Sequence, residues 1–188
     1  MENKTPEFKE FKKIPRLSRE CIVTEKIDGT NGVIYIENDI IYVGSKSRWL
    51  SEKEDNFGFY KWVMENRDDL LKLGQGYHYG EWWGQGIQRN YGLKEKKFSL
   101  FNVSKWSDPE VRPKCCDVVP VLAKDIDFDT EIIESYLYEL KHFGSKAVPG
   151  FMKPEGIVIF HKPSSYLFKK TLENDKEPKG KYEKQTAS

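Results

Sequence analysis

In Glu25-Lys26-Ile27-Asp28-Gly29-Thr30-Asn31 a lysine stands one residue before an acid-glycine turn, just after the apolar run Cys21-Ile22-Val23. A lysine at the end of a buried strand is costly unless it reacts or finds a partner. Held in a pocket, its amine can attack an electrophile and form a covalent intermediate. With a free pKa near 10.4, only about four lysines in ten thousand are neutral at pH 7, a penalty of roughly 4–5 kcal/mol. Burial and a neighbouring cation both reduce it. Four more segments carry polar groups where a strand should be plain. Ser45-Lys46-Ser47-Arg48 leaves a strand with two cations and two hydroxyls. Gly80-Glu81-Trp82-Trp83-Gly84 opens an aromatic strand with a carboxylate, and Pro154-Glu155-Gly156-Ile157-Val158-Ile159-Phe160 an apolar one. Tyr166-Leu167-Phe168-Lys169-Lys170-Thr171 ends a strand on lysines. Each alone fits a solvated strand end; five together in order are hard to obtain by accident.

The elements that must hold these residues are mostly strands. Ile22–Lys26, Gly32–Glu37 and Ile40–Ser45 are β-rich, and Asn38-Asp39 predicts a hairpin between the last two. Phe57–Leu73 reads as one helix, with Phe59, Trp62, Val63, Leu70 and Leu71 on one face and Gly74 beyond its end. Strands are expected at Tyr77–Trp83, Lys97–Val103 and Val118–Ala123. A second helix has Asp129 as its cap, Ile132, Ile133, Tyr136, Leu137 and Leu140 as its stripe, and Gly144 as its stop. Gly156–His161 and Tyr166–Thr171 close the ordered part. The pattern is that of an α+β domain of mainly antiparallel sheet flanked by helices. Neither an internal repeat nor an interdomain linker is visible.

Composition narrows the function classes. The chain of 188 residues can bury a full core, and 31 basic against 30 acidic side chains leave a formal charge of +1. No global field marks a nucleic-acid partner, although a local basic groove is compatible with that balance. Aromatic residues, at 14%, exceed what a core alone needs, which leaves some for stacking. Cys21, Cys115 and Cys116 support neither a disulfide framework nor a zinc site. His78, His142 and His161 show no ligand spacing. With no long apolar run and no signal-like start, a soluble, cytoplasmic monomer with no membrane partner is expected.

Taken in order, the five segments resemble the motifs of the covalent nucleotidyltransferase superfamily, and most of all those of the compact phage-type ATP-dependent RNA ligases. Lys26-Ile27-Asp28-Gly29 is similar to motif I, and Ser45-Lys46-Ser47-Arg48 to the arginine motif after it. Glu81 opens a segment like motif III, followed by the aromatic Phe98-Ser99-Leu100-Phe101-Asn102-Val103. Glu155-Gly156-Ile157-Val158 looks like motif IV and Phe168-Lys169-Lys170 like motif V. The resemblance runs from about Ile14 to Thr171. It implies an ATP-grasp-like ligase catalytic domain over residues 1–172; the almost wholly polar stretch 173–188 is expected to be a flexible tail, and, as a departure from the relatives, no C-terminal OB domain is expected.

On that resemblance Lys26 attacks the α-phosphate of ATP, with Mg²⁺ or Mn²⁺ as the metal, and becomes lysyl-AMP. Lys169 is the cation expected to assist it, with Lys170 in reserve because adjacent strand residues face opposite ways. The family's commoner Lys-x-Lys would place its second lysine at Thr171. For the same geometric reason Glu25 need not pair with Lys26; the resemblance gives it the adenine edge. Arg48 suits ribose and phosphate oxygens, Glu81 the ribose hydroxyls, and Phe101 the adenine face. Asn31 is expected to hold the reacting phosphate or its metal water, Asp28 and Gly29 belong to the nucleotide-binding turn, and Glu155 is expected to orient the metal directly or through its waters. The partner implied is RNA with 5′-phosphate and 3′-hydroxyl ends. DNA joining, guanylyl transfer, or a nucleic-acid-binding domain without end-joining are the alternatives. Arg89, Lys94, Lys96 and Lys97, or the tail lysines 176, 179, 181 and 184, are candidates to grip a phosphate backbone.

Overall fold

A strand buried on both faces sets the architecture. In the computed structural model, which describes residues 7–176, Cys21 to Glu25 are all buried. Apolar layers must therefore lie on both sides of that strand. In chain order the strands are β1 (Glu20–Lys26), β2 (Thr30–Glu37), β3 (Ile40–Gly44), β4 (Gly76–Gly84), β5 (Lys96–Leu100), β6 (Cys116–Val118), β7 (Val121–Asp127), β8 (Gly156–His161) and β9 (Tyr166–Thr171). The helices are α1 (Phe59–Glu65), α2 (Arg67–Leu70), α3 (Val103–Trp106) and α4 (Thr130–Phe143). One sheet has the order β7-β1-β8-β9 and is antiparallel throughout. The other has the order β3-β2-β4-β5-β6, with only β5 and β6 parallel. The expected α+β class with mainly antiparallel sheet is what the chain adopts.

Three apolar clusters stack the layers. Ile34, Ile36, Trp82 and Phe98 of the second sheet pack on Phe59, Val63 and Leu70 of α1 and α2. Cys21, Val23, Ile157 and Ile159 of the first sheet pack on Ile133, Leu137 and Leu140 of α4. Between the sheets lie Ile22, Ile27, Trp83, Tyr91 and Val119. Each large apolar side chain so buried contributes about 1.5–3 kcal/mol. Because residues alternate along β1, its odd-numbered side chains meet α4 and its even-numbered ones, ending in Lys26, face the gap between the sheets. Among the described residues no helix is long and apolar enough to cross a membrane.

Three expected elements are cut differently. The helix expected over Phe57–Leu73 is broken at Asn66, whose backbone N–H and side-chain amide both donate to the Trp62 carbonyl, at 3.1 and 2.8 Å. That local bond competes with continued helix, and the chain goes on as α2 and a 3₁₀ turn at Leu71–Leu73. The strand expected over Lys97–Val103 stops at Leu100, because Asn102 accepts from the Lys105 N–H and starts α3. The strand expected over Val118–Ala123 is two strands in different sheets, parted at Val119-Pro120. Pro120 has no N–H for a ladder, while its carbonyl accepts from Glu25 N at 2.9 Å. From residue 177 onward the expected tail, with lysines 179, 181 and 184, lies outside the described residues.

Candidate active site

Lys26 ends β1 opposite Gly156 of β8, and its Nζ lies 2.7 Å from Glu155 Oε2. The lysine side chain is 21% exposed and the glutamate 3%, so the amine reaches solvent while its partner does not. Gly156 is required by close approach, since a Cβ there would stand 2.2 Å from the Lys170 carbonyl of β9. The Glu155 carbonyl also accepts from Leu172 N at 2.9 Å, which ties the carboxylate's backbone to the end of β9.

Glu81 faces the same gap from the second sheet. It stands opposite Asn31 in the β2–β4 register and accepts from the Asn31 side-chain amide at 3.3 Å and from Gly29 N at 3.0 Å. Burial pushes its pKa from 4.5 up to about 7 against the lowering pull of Lys26 and the Gly29 N–H, and the nearby Glu155 and Asp28 push it the same way. Gly29 is bare for a reason. A Cβ there would lie 2.5 Å from the Trp82 carbonyl and 2.7 Å from Trp83 Cβ. The turn therefore presses on β4, and this contact delivers Lys26 and Glu81 to one place.

Asp28 is held by a brace. Arg89 Nε donates to Asp28 Oδ2 at 3.0 Å, its Nη1 to the Lys153 carbonyl at 3.1 Å, and its Nη2 lies 3.5 Å from Glu173. The Asp28 N–H donates to the buried Tyr91 hydroxyl at 2.9 Å. Arg89 thus joins the turn after Lys26 to the approach to Glu155, rather than reaching out for a phosphate backbone. Lys96 and Lys97 are also engaged, with the Phe57 carbonyl and Asp117. Sequence spacing gives no sign of the brace, since Arg89 lies 61 residues from Asp28.

Glu25 takes the opposite face of β1, as strand alternation requires. Its carboxylate is buried and accepts from the Ser145 hydroxyl at 2.6 Å and from the Lys146 and Ala147 N–H groups at 2.7 and 2.9 Å. Burial raises its pKa, while these donors pull it back. Alternation also separates the two motif V lysines. Lys169 pairs with Val158 and shares the face of Lys26; Lys170 pairs with Ile157 and forms an ion pair with Glu134 of α4. Lys170 is therefore placed away from the gap, and the reserve role expected for it does not fit its position.

Arg48 leaves β3 at the rim of a second cleft of about 300 Å³ and donates to the Glu54 carbonyl at 2.9 Å. Phe101 lies past the end of β5 and is 40% exposed. Two residues earlier, Ser99 accepts from Trp83 Nε1 at 2.9 Å. Ser99, Trp83, Ile27 and Ala147 help to line a cleft of about 260 Å³ between the sheets. Sequence reasoning passed over Trp83 and Ser99 as lining residues, although their alternation with buried Trp82 and Phe98 held the signal. Among the described residues no three carboxylate, histidine or cysteine side chains are grouped to hold a metal by themselves.

Comparison with known proteins adds a sequence match and a structural one. The family model described as RNA ligase matches residues 19–173. Solved structures of Naegleria gruberi RNA ligase superpose on the chain. A mutant form with ATP and Mn gives a TM-score of 0.63 at 21% identity over 82% of this chain and 50% of that one. A mutant with AMP and Mn gives 0.63 at 22% over 81% and 49%, and an apo mutant 0.64 at 22% over 81% and 49%. The chain thus spans about half the length of these structures, and at such identity the likeness is one of fold.

Proposed function

The chain belongs to the RNA ligase family, and from that premise we propose that it is an ATP-dependent RNA ligase working through lysyl-AMP on Lys26. The observation that carries this reading is the Lys26–Glu155 contact of 2.7 Å facing Glu81 across the gap between the sheets. In the first step the Lys26 amine loses a proton and its nitrogen bonds to the α-phosphorus of ATP. The bond from that phosphorus to the bridging oxygen breaks, and pyrophosphate leaves. An RNA 5′-phosphate then attacks the same phosphorus, the P–N bond breaks and Lys26 regains its proton. Attack of a 3′-hydroxyl on the activated 5′-phosphorus seals the strand and frees AMP.

The residues fit these tasks. Glu155 is ion-paired with Lys26 at 2.7 Å, so the amine is free to attack only when that carboxylate is engaged elsewhere. Glu155 and Glu81 face Lys26 from two sides of the gap while Asp28 is paired with Arg89, and those two carboxyl groups offer oxygen donors that suit a divalent cation. With a single carboxylate at the reacting lysine, Mg²⁺ or Mn²⁺ would be held by Glu155, phosphate oxygens and water. When bound, such an ion neutralises charge on the transferring phosphate. In this reading Glu81 and Asn31 would meet ribose and phosphate oxygens, Lys169 the α-phosphate, and Arg48 phosphate or ribose oxygens. The cleft at Ile27, Trp83 and Ser99 offers the Trp83 indole and Ile27 as flat and apolar contacts for the base among polar groups, with Glu25 behind Ala147.

Intact-protein mass spectrometry after incubation with Mg²⁺ and ATP tests this directly. An AMP adduct located on Lys26 and missing from Lys26→Ala is expected, with Glu155→Ala folded but unable to form it. No adduct with any divalent metal, or an adduct only with GTP, would sink the reading. Nicked RNA and DNA substrates then separate the two polymers.

A further inference from the structure

The second sheet leaves an unusual face uncovered. Along β4 the residues alternate, so His78 and Trp82 are buried while Tyr77 and Tyr79 stay 54% and 53% exposed. Tyr35 lies opposite both Tyr42 and Tyr77 in the register, so all of these rings share one face. Trp49, just beyond β3, completes the group at 52% exposure. The rings touch in series. Tyr35 stacks on Tyr77 with centroids 4.3 Å apart, Tyr77 and Tyr79 are within 7° of parallel at 6.0 Å, and Tyr42 lies 6.1 Å from Trp49. Cross-strand pairing stabilises sheets and accounts for some of these choices. It does not account for rings left half in water.

We propose that this aromatic face is a stacking platform for an unpaired RNA strand on its way to Lys26. The inference rests on the ligase reading above and names the surface that would hold its polymer. Two observations select this occupant. First, the face runs unbroken into the active site, because Tyr77, Tyr79 and Glu81 are successive same-side residues of β4. Tyr77 and Glu81 are therefore about 13 Å apart along the strand, a span of a few nucleotides. Second, the rim carries exposed cationic side chains beside Trp49. Arg48 and the exposed Lys46 flank Trp49, and Ser45, Ser47 and Arg48 share a cleft with Trp49, Tyr77 and Tyr79. Of the carboxylates here, Glu54 lies 3.7 Å from Arg48 and Glu37 accepts from the Tyr35 hydroxyl at 3.0 Å. A phosphate can displace an exposed ion pair of that kind at little cost. Flat ring faces need bases that are free to unstack, which a duplex does not offer.

The test titrates the full chain into a fluorescent 5′-phosphorylated oligoribonucleotide, unpaired or annealed to its complement. Trp49→Ala combined with Tyr77→Ser should weaken unpaired-strand binding by at least about tenfold. Tyr77→Phe, which keeps the ring, should stay within about twofold. Photocrosslinks from a 4-thiouridine strand to the wild-type chain should map to Trp49, Tyr77 or Tyr79, a measurement that needs no variant to fold. Lys26 adenylylation is followed in the same samples. If the adduct forms and the double variant binds the strand as tightly as wild type, the platform falls and the ligase reading stands. If no adduct forms while binding still depends on the rings, the ligase reading falls and the platform stands. Equal affinity for duplex, crosslinks elsewhere, or self-association abolished by the double variant would each overturn the platform, the last by giving the face to a second copy.

Discussion

Glu81 holds a carboxylate where burial and two acidic neighbours oppose its charge, and this makes it a pH reporter. Its pKa is raised from 4.5 to about 7 in the folded chain. Between those values the folded state keeps a proton that the unfolded state has released, so stability falls as pH rises through the window and levels off above it. The full shift corresponds to about 3 kcal/mol. Glu81→Gln keeps an acceptor for the Gly29 N–H but cannot ionise. Chemical denaturation at pH 5 and pH 8.5 should show wild type losing about 2.5 kcal/mol more than the variant over that interval. Buried Glu25 shifts in the same direction, so the comparison with the variant, not the wild-type slope alone, isolates Glu81. Parallel pH profiles for the two proteins would show that Glu81 is ionised in the fold.

At the scale of elements, strand alternation sorts residues that sequence places side by side. Lys169 and Lys170 are adjacent, yet β9 turns the first toward the gap and the second to Glu134 of α4. Lys169→Ala should reduce the initial rate of Lys26 adenylylation by at least about a hundredfold, in line with loss of a charge-stabilising donor. Lys170→Ala should keep that rate within a few fold and cost under about 1 kcal/mol, because its ion pair is partly exposed. Equal losses in both variants would mean that β9 has slipped by one residue when nucleotide binds. Local signals of this kind were legible in the sequence. The Asn38-Asp39 turn lies between β2 and β3, and Asp129 and Gly144 bound α4 as their capping chemistry requires. Signals that depend on distant partners were not legible. Val119-Pro120 reads as mid-strand until the two sheets exist for the chain to cross between, and Arg89 reads as a surface cation until Asp28 and the Lys153 carbonyl meet it.

Over the described residues the molecule is two sheets with helices outside, and its reactive groups come from both sides of the seam. Lys26 and Glu155 belong to the first sheet and Glu81 and Asn31 to the second, so their geometry depends on how closely the sheets are held. Gly29 sets that approach, because its position leaves no room for a Cβ beside the Trp82 carbonyl and Trp83. Backbone and a packed indole cannot yield as the end of a flexible side chain would. Gly29→Ala must therefore lift the turn off β4, stretch the Gly29 N–H to Glu81 bond of 3.0 Å and move Lys26 relative to Glu81. Overpacking of this kind costs about 1–3 kcal/mol, and misplacement near 1 Å can cost about a hundredfold in rate. The variant should thus stay folded at 25 °C by circular dichroism, lose that much stability in denaturant, and form lysyl-AMP at least tens of times more slowly. Retained stability and rate together would show that the seam is compliant, and that the two halves of the site are brought together by nucleotide rather than by Gly29.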